Sequence, residues 1–151
     1  MPYIMSTVKA QEDGCIFCKM LAEPDDERNL IIYRGELAFV VMNLFPYNTG
    51  HLMVVPIRHT GDFQSLSTDE HLELMSLIAR SHAALAKAFS PHGFNVGMNL
   101  GRASGAGIAD HLHYHIVPRW SGDSNFMSVV ADTKVISESL HDTYLRLKAV
   151  F

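Results

Sequence analysis

Three histidines alternate with apolar residues in the run 111–117, which reads HLHYHIV. Side chains of a β-strand point alternately to its two faces, so His111, His113 and His115 are predicted to share one face, about 7 Å apart. We expect that face to be exposed, because three imidazoles have no packing role in an apolar core. Two chemistries fit: strand histidines can ligate zinc, and a neutral imidazole, with a pKa of about 6.5, can attack phosphorus. The residues alone leave both open.

The second candidate site is the pair Cys15 and Cys18, the only two cysteines of the chain. Two intervening residues suit a metal or redox pair better than a structural disulfide framework. Such a pair supplies half of a tetrahedral zinc site. The alternative is two buried free thiols.

Short apolar segments separated by turn residues predict the strands that must carry these side chains. The segment 45–50 contains proline, asparagine and glycine and is predicted to be a loop. Residues 15–21 are a short mixed segment. We predict five strands, at 30–33, 37–42, 51–55, 95–100 and 111–117, with Pro118 ending the last.

One long helix is predicted over 68–89. Ser67 and Glu70 fit a capping box at its start, apolar residues then recur at helical spacing, and residues 91–93 (PHG) end it. A terminal helix is predicted over 137–149. Strands joined by short loops, with one long helix between the third and fourth, indicate an α+β domain with an antiparallel five-stranded sheet.

Composition limits the class of protein. A length of 151 residues predicts one core, with 1–14 as an N-terminal extension and 15–151 as a single domain. A net charge of −4 and a pI near 6.1 argue against a general nucleic-acid binder. No apolar run is long enough to span a membrane, and no secretory signal is recognisable. We expect a cytoplasmic protein without a membrane or nucleic-acid partner.

The run 111–117 resembles the His-x-His-x-His-x-x signature of the histidine-triad (HIT) superfamily. The start of the domain at 15–19 (CIFCK) is similar to that family's N-terminus, and 39–43 with 50–56 resembles its central hairpin. The resemblance implies a HIT-like fold, a nucleotide substrate and a homodimer. More weakly, 110–126 resembles a bacterial branch that includes diadenosine tetraphosphate phosphorylases.

The resemblance also implies roles for single residues. His113 would be the nucleophile that attacks the α-phosphorus and carries a nucleoside monophosphate. His115 would bind a phosphate oxygen, and His51 would lie beside the phosphates unless it is an ordinary strand histidine. Asn43 would bind the ribose hydroxyls, the alternative being a turn-capping asparagine.

Phosphate contacts are expected from Asn99 and from the glycine-rich loop 101–107, including Gly105 and Gly107. The chain departs from many relatives here, because 106–108 reads AGI where they have glycine, glutamine and a hydroxyl residue. Backbone N–H groups, Asn99 or Arg102 must therefore replace those two side chains.

Relatives that begin with the same Cys-x-x-Cys complete a zinc site with two further histidines. The matching positions here are His59 and His111. The resemblance thus implies structural Zn²⁺ held by Cys15, Cys18, His59 and His111, with no open position and no catalytic metal.

The predicted function is cleavage of a dinucleoside polyphosphate, such as diadenosine tetraphosphate, through a nucleotidyl-histidine, by hydrolysis or phosphorolysis. Arg102 and Arg119 are the candidates for holding orthophosphate, and Trp120 is either a base contact, a buried anchor or a dimer contact. The alternatives are a nucleoside phosphoramidase, a zinc-dependent hydrolase that uses the histidine run, and a nucleotide-binding module without chemistry.

Overall fold

The computed structural model describes residues 14–124, 130 and 135–151, so the predicted extension lies outside the described residues except for Gly14. Within them the chain forms a five-stranded antiparallel sheet and three α-helices. The strands are β1 (Ile31–Arg34), β2 (Ala38–Met42), β3 (Leu52–Pro56), β4 (Gly93–Met98) and β5 (Tyr114–Arg119), and the helices are α1 (Ile16–Ala22), α2 (Thr68–Phe89) and α3 (Leu140–Val150).

The strand order β1-β2-β3-β5-β4 places β5, the strand of the histidine run, between β3 and β4. Each neighbouring pair is antiparallel. This confirms the predicted α+β fold with its antiparallel sheet, long helix and C-terminal helix. Among the described helices, none combines the length and the apolar composition needed to cross a membrane.

Helix α2 has the predicted bounds, and its capping box is present. The Glu70 N–H donates to Ser67 Oγ over 3.1 Å, and the Ser67 N–H donates to the Glu70 carboxylate over 2.8 Å. The helix ends at Phe89, and its C-cap Ser90 has a left-handed φ of +47°. The C-terminal helix begins at Leu140 rather than 137, because Ser139 caps it by accepting from the Asp142 N–H.

Each face of the sheet carries an apolar core. Helices α2 and α3 pack on one face, where the core includes Leu52, Leu74 and Ile116. A smaller core on the opposite face contains Phe17 of α1 and Phe39 of β2. Helix α1, which the sequence did not predict, therefore closes the second face over β2 and β3.

Two predicted strands are shifted. The first begins at Ile31 rather than 30, because Leu30 has a left-handed φ of +57° that ends the preceding turn. The fourth is Gly93–Met98 rather than 95–100, since pairing with β5 already begins at Gly93, opposite Arg119. Residues 91–93 were predicted to end the helix, but Gly93 is the first residue of the next strand.

The prediction for the fifth strand was wrong at both ends. Ladder pairing begins at Tyr114, because the Leu112 N–H bonds the Thr60 carbonyl in a loop instead. Pairing continues through Pro118 to Arg119 on the β4 side. The last residue of β5 paired with β3 is Ile116, opposite Leu52, so no β3 partner needs the N–H that Pro118 lacks.

Candidate active site

The three histidines of the run lie on one side of the sheet, as predicted, but that side is not exposed. Phe17 of α1 packs against the rings of both His111 and His113, with centroids 5.3 and 5.2 Å away. His111 is fully buried and His113 is 6% exposed. The expected open face is wrong because α1 covers this end of the row, while His115 at the other end borders a cleft.

His113 is held as one tautomer. Its Nδ1 lies 2.9 Å from the backbone carbonyl of His111, and because a carbonyl only accepts, Nδ1 must carry the hydrogen. Nε2 therefore keeps its lone pair. Burial lowers the pKa of His113, although the bond to the His111 carbonyl opposes this. A neutral imidazole with a lone pair on Nε2 is the form that a nucleophilic histidine needs.

A chain of hydrogen bonds orients His115. The Tyr47 N–H donates to His51 Nδ1 over 3.1 Å, so the hydrogen of neutral His51 is on Nε2. That Nε2 lies 2.9 Å from His115 Nδ1 and donates to it. His115 must then carry its own hydrogen on Nε2, where it is a donor. The ring of His115 lies 4.9 Å from that of His113.

Both members of this pair are neutral at pH 7. Burial, followed by the charges that His115 and His113 would carry, lowers the pKa of His51 to about 3. Burial and then His113 lower the pKa of His115 to about 4. His115 thus offers an N–H donor to a phosphate oxygen rather than a positive charge.

A cleft of about 460 Å³ opens beside His115, over β4 and β5. Asn99, predicted as a phosphate donor, lies in its wall. Gly97 pairs directly with His115, and a Cβ at Gly97 would meet no atom of the described residues within 4 Å. The other lining residues that matter below are Tyr47, Asn95 and Arg119.

Arg119 is tied into a network at the end of this cleft. It donates twice to Asp123, over 2.6 and 2.9 Å, and once to Asn95 over 2.7 Å. Asn48 Nδ2 donates to Asp123 over 2.7 Å and to the Pro118 carbonyl over 3.0 Å, which anchors the loop 43–50. The Arg119 guanidinium holds the pKa of Asp123 well below its usual range. This carboxylate offsets the charge of Arg119, which weakens its case as an orthophosphate site.

Other predicted binding residues are placed differently. Asn43 Oδ1 accepts from the Phe45 N–H over 2.9 Å, the turn-capping geometry that was its alternative role. Trp120 does not line the cleft and borders a separate cavity of about 420 Å³ with Phe89 and Arg146.

The glycine-rich loop follows β4 toward the histidines. Gly101 and Gly105 adopt positive φ values of +76° and +90° around a short 3₁₀ helix that begins at Arg102. A Cβ at Gly105 would lie 4.0 Å from Asn99 Nδ2, so this turn packs near the predicted donor. Gly107 is half-buried, with no described contact to the histidines.

The predicted metal ligands converge. The Sγ atoms of Cys15 and Cys18 and the Nδ1 atoms of His59 and His111 all lie within 4.8 Å of one another. Cys15 to His111 is 3.2 Å, Cys18 to His59 is 3.4 Å, Cys18 to His111 is 3.7 Å and His59 to His111 is 3.2 Å. Tetrahedral zinc with two sulfur and two nitrogen ligands requires spacings of roughly 3.3–3.8 Å. The donor set fits a closed zinc site.

The surroundings of this cluster orient its ligands. His111 Nε2 donates to the Pro56 carbonyl over 2.8 Å, so Nδ1 is left with the lone pair that a metal takes. Arg58, next to His59, makes a two-point bond to Glu70 at the start of α2, over 2.9 and 2.8 Å. That pair fixes the loop carrying His59.

Residues 25–122 match the HIT domain family. This chain belongs to the HIT family. The AP-4-A phosphorylase of Mycobacterium tuberculosis is 47% identical over 118 residues, which is 78% of this HIT protein but only 60% of that relative. The adenosine 5'-monophosphoramidase hnt1 of Schizosaccharomyces pombe is 29% identical over 106 residues, 70% of this chain and 74% of its own. A zinc-bound histidine triad family protein from Mycobacterium smegmatis has the same fold, with a TM-score of 0.73 at 23% identity, covering 91% of this chain and 92% of its own.

Sequence reasoning missed two residues that contact the histidines of this HIT protein. Tyr47 stacks on His115, with centroids 5.8 Å apart, and lies 4.5 Å from the His51 ring. Phe17 supports His113 from the other side. The only signals were an aromatic residue in the loop before His51 and one inside the Cys-x-x-Cys pair.

Proposed function

We propose that this protein cleaves a nucleoside phosphoanhydride through a covalent nucleotidyl-His113 intermediate. The observation that supports the proposal is the pair of tautomers that hydrogen bonds impose on His113 and His115. The bond to the His111 carbonyl leaves Nε2 of His113 as a lone pair, while the Tyr47–His51 chain makes His115 a donor. A nucleophile and a hydrogen-bond donor therefore stand side by side, as attack on a phosphate requires.

The reaction has two steps. His113 Nε2 bonds to the α-phosphorus while the P–O bond to the leaving nucleotide breaks, with His115 donating to a phosphate oxygen. An acceptor then attacks the same phosphorus and the P–N bond breaks. Water as acceptor loses its proton and yields a nucleoside monophosphate, whereas orthophosphate yields a diphosphate. Neutral His113 is regenerated in both cases.

The substrate proposed is a dinucleoside polyphosphate of the diadenosine tetraphosphate type. The support is the 47% identity to the M. tuberculosis AP-4-A phosphorylase. Because this chain spans 60% of that relative, its activity and acceptor are tested separately. Incubation with diadenosine tetraphosphate and millimolar orthophosphate should release ATP and ADP. Release of ATP and AMP only would make the chain a hydrolase, and no cleavage would refute the substrate.

A nucleoside phosphoramidase is the second candidate, favoured by the similarity to S. pombe hnt1. Adenosine 5'-phosphoramidate tests it, since its turnover gives AMP and ammonia from the same intermediate. The zinc-dependent hydrolase is less well supported, because Nδ1 of His115 accepts from His51 and its Nε2 carries the hydrogen, which leaves His115 no lone pair for a metal. Within the described ranges, the Cys15 group alone has the spacing of a metal site.

We propose that the cluster of Cys15, Cys18, His59 and His111 binds one Zn²⁺ per chain. Bound zinc would supply a structural crosslink between α1 and the start of the histidine row. The support is the spacing of its four donor atoms. Elemental analysis of protein purified without added metal should give one zinc per chain.

We also propose a cytoplasmic homodimer. The family resemblance supports a dimer, and β4 is an outer strand of the described sheet whose Val96 is exposed. Light scattering should give twice the single-chain mass of 16.8 kDa. A mass near one chain at micromolar concentration would refute it.

A further inference from the structure

The cleft over β4 and β5 has no assigned ligand, although it starts at His115. Its volume of about 460 Å³ falls in the range of small-molecule sites. Its wall includes the amides of Asn95 and Asn99, the ring of Tyr47 and the guanidinium of Arg119. Amides and an aromatic face are groups that bind a ribose and a base, while the phosphates can meet the Nε2–H of His115.

The position of the cleft decides which part of a substrate it can receive. On the opposite side of His113, α1 and the core around Phe17 and Phe39 close the same face of the sheet. The cleft lies on the far side of His115, where Asn95 and Gly97 are exposed. In-line attack by His113 expels the leaving group on the side of the phosphorus away from His113, so the group that departs from a phosphate held between His113 and His115 moves toward this cleft.

The charge of the cleft favours a nucleotide over free phosphate. Arg119 spends three of its five N–H groups on Asp123 and Asn95 among the described residues. The carboxylate of Asp123 offsets the charge of Arg119. The cleft therefore offers hydrogen-bond donors with fixed directions rather than a net positive charge. Directional donors select a shaped ligand that brings its own rings and hydroxyls.

We propose that this cleft binds the departing nucleotide, the half of the dinucleoside polyphosphate that leaves when His113 is nucleotidylated. The assignment rests on the proposed function, since it needs His113 as the nucleophile. Substrates that share an adenylyl group but differ in leaving group should therefore differ in their use of the cleft. Diadenosine tetraphosphate, which releases ATP, would fill it, while adenosine 5'-phosphoramidate, which releases ammonia, would not.

Gly97 provides the test. A β-branched valine suits a strand, and the new Cβ would meet no described atom within 4 Å, so Gly97→Val should narrow the cleft without disturbing the sheet. We expect the ratio of kcat/KM for diadenosine tetraphosphate to that for the phosphoramidate to fall at least tenfold. Gly93→Val is the matched control. It makes the same change on the same strand, and its Cβ also meets none of the described atoms within 4 Å, but Gly93 does not line the cleft.

The outcomes separate cleanly. An unchanged ratio in Gly97→Val overturns the assignment. An equal fall for both substrates also overturns it, because the cleft would then hold the adenylyl group that they share. If thermal melting shows that Gly97→Val is unfolded, Asn99→Ala decides, with the ratio expected to fall at least threefold. A wild-type protein that turns over neither substrate refutes the proposed function itself.

Discussion

The two sides of the histidine row differ in what surrounds them. On the α1 side, Phe17 is 1% exposed, and the donor cluster with His111 fixes the chain that leads into His113. On the β4 side, Gly97 leaves bare backbone under an open cleft. In the proposed function, the closed side sets the tautomer and position of His113 as the nucleophile, while the open side would receive the part of the substrate that varies. Specificity can therefore change on one side without altering the chemistry on the other.

The largest loss of activity is expected from a change of His113, which lies between the closed and the open side. His113→Ala removes the only group proposed to form the covalent intermediate, so kcat should fall at least about 10³-fold. Binding of ATP, the departing nucleotide, measured by calorimetry, should change little because no group that lines the cleft is lost. Activity within about tenfold of wild type would contradict the assignment, as would a nucleotidyl adduct trapped on another residue.

Loss of the closed side should reduce stability more than chemistry. Cys15→Ser removes one of four donors, and the free energy of unfolding should fall by several kcal/mol, on the order expected for loss of a structural metal. Zinc content should drop with it, while kcat per folded molecule changes less. Urea unfolding, elemental analysis and active-site titration measure the three quantities.

Two histidine variants, one in the metal cluster and one outside it, provide a control for the Cys15→Ser result. His59→Asn removes a cluster ligand, whereas His141→Asn alters an exposed histidine that lies 3.7 Å from Glu27. The first variant should lose zinc and the second should keep it. Equal zinc content and equal stability in both variants would reject the metal site.

The sequence predicted which histidines lie on one side of the sheet better than it predicted what surrounds them. Alternation in 111–117 correctly placed three imidazoles on one side, and the capping box at Ser67 located α2 to the residue. Burial of that side was not predictable, because it depends on α1, a seven-residue helix with no clear periodicity. Long-range contacts such as Phe17 with His113 have no local signature.

The strand ends show the same limit. Pro118 reads as a terminator, yet it sits in β5 because β3 has already ended on that side. Which backbone N–H groups need a partner depends on the neighbouring strands, and these are set by the whole sheet. Likewise, the stacking of Tyr47 on His115 requires the loop 43–50 to fold back, which Asn48 and Asp123 arrange from 75 residues apart.

The open side should depend on that anchored loop. Asn48 is 7% exposed, and Asn48→Ala would leave the Pro118 carbonyl without this donor. The free energy of unfolding should fall by about 1–3 kcal/mol, and KM for diadenosine tetraphosphate should rise. Asn29→Ala is the control: its Nδ2 also makes two hydrogen bonds, to Glu23 and the Asp25 carbonyl, but these are exposed. It should cost less than about 0.5 kcal/mol, and equal losses in the two variants would contradict the anchoring role.

The smallest effect expected is a pH dependence that arises where the two sides meet. The pKa of His51 is lowered to about 3 and that of His115 to about 4, against about 6.5 for a free histidine. At a pH between the folded and the unfolded pKa values, the unfolded chain binds more protons than the folded one. The free energy of unfolding therefore decreases as the pH falls from about 6.5 toward 4. Each of the two histidines should contribute a slope approaching about 1.4 kcal/mol per pH unit at the acid end of that window.

Unfolding in urea between pH 5 and 7 measures this slope, and His115→Asn should reduce it, while Asn99→Ala, with no titrating group, should not. Carboxylates and metal ligands titrate in both proteins and cancel in the difference between wild type and variant. A slope that is the same in His115→Asn as in the wild type would show that the fold does not hold His115 neutral, and His115 would then present a positive charge rather than a neutral N–H donor.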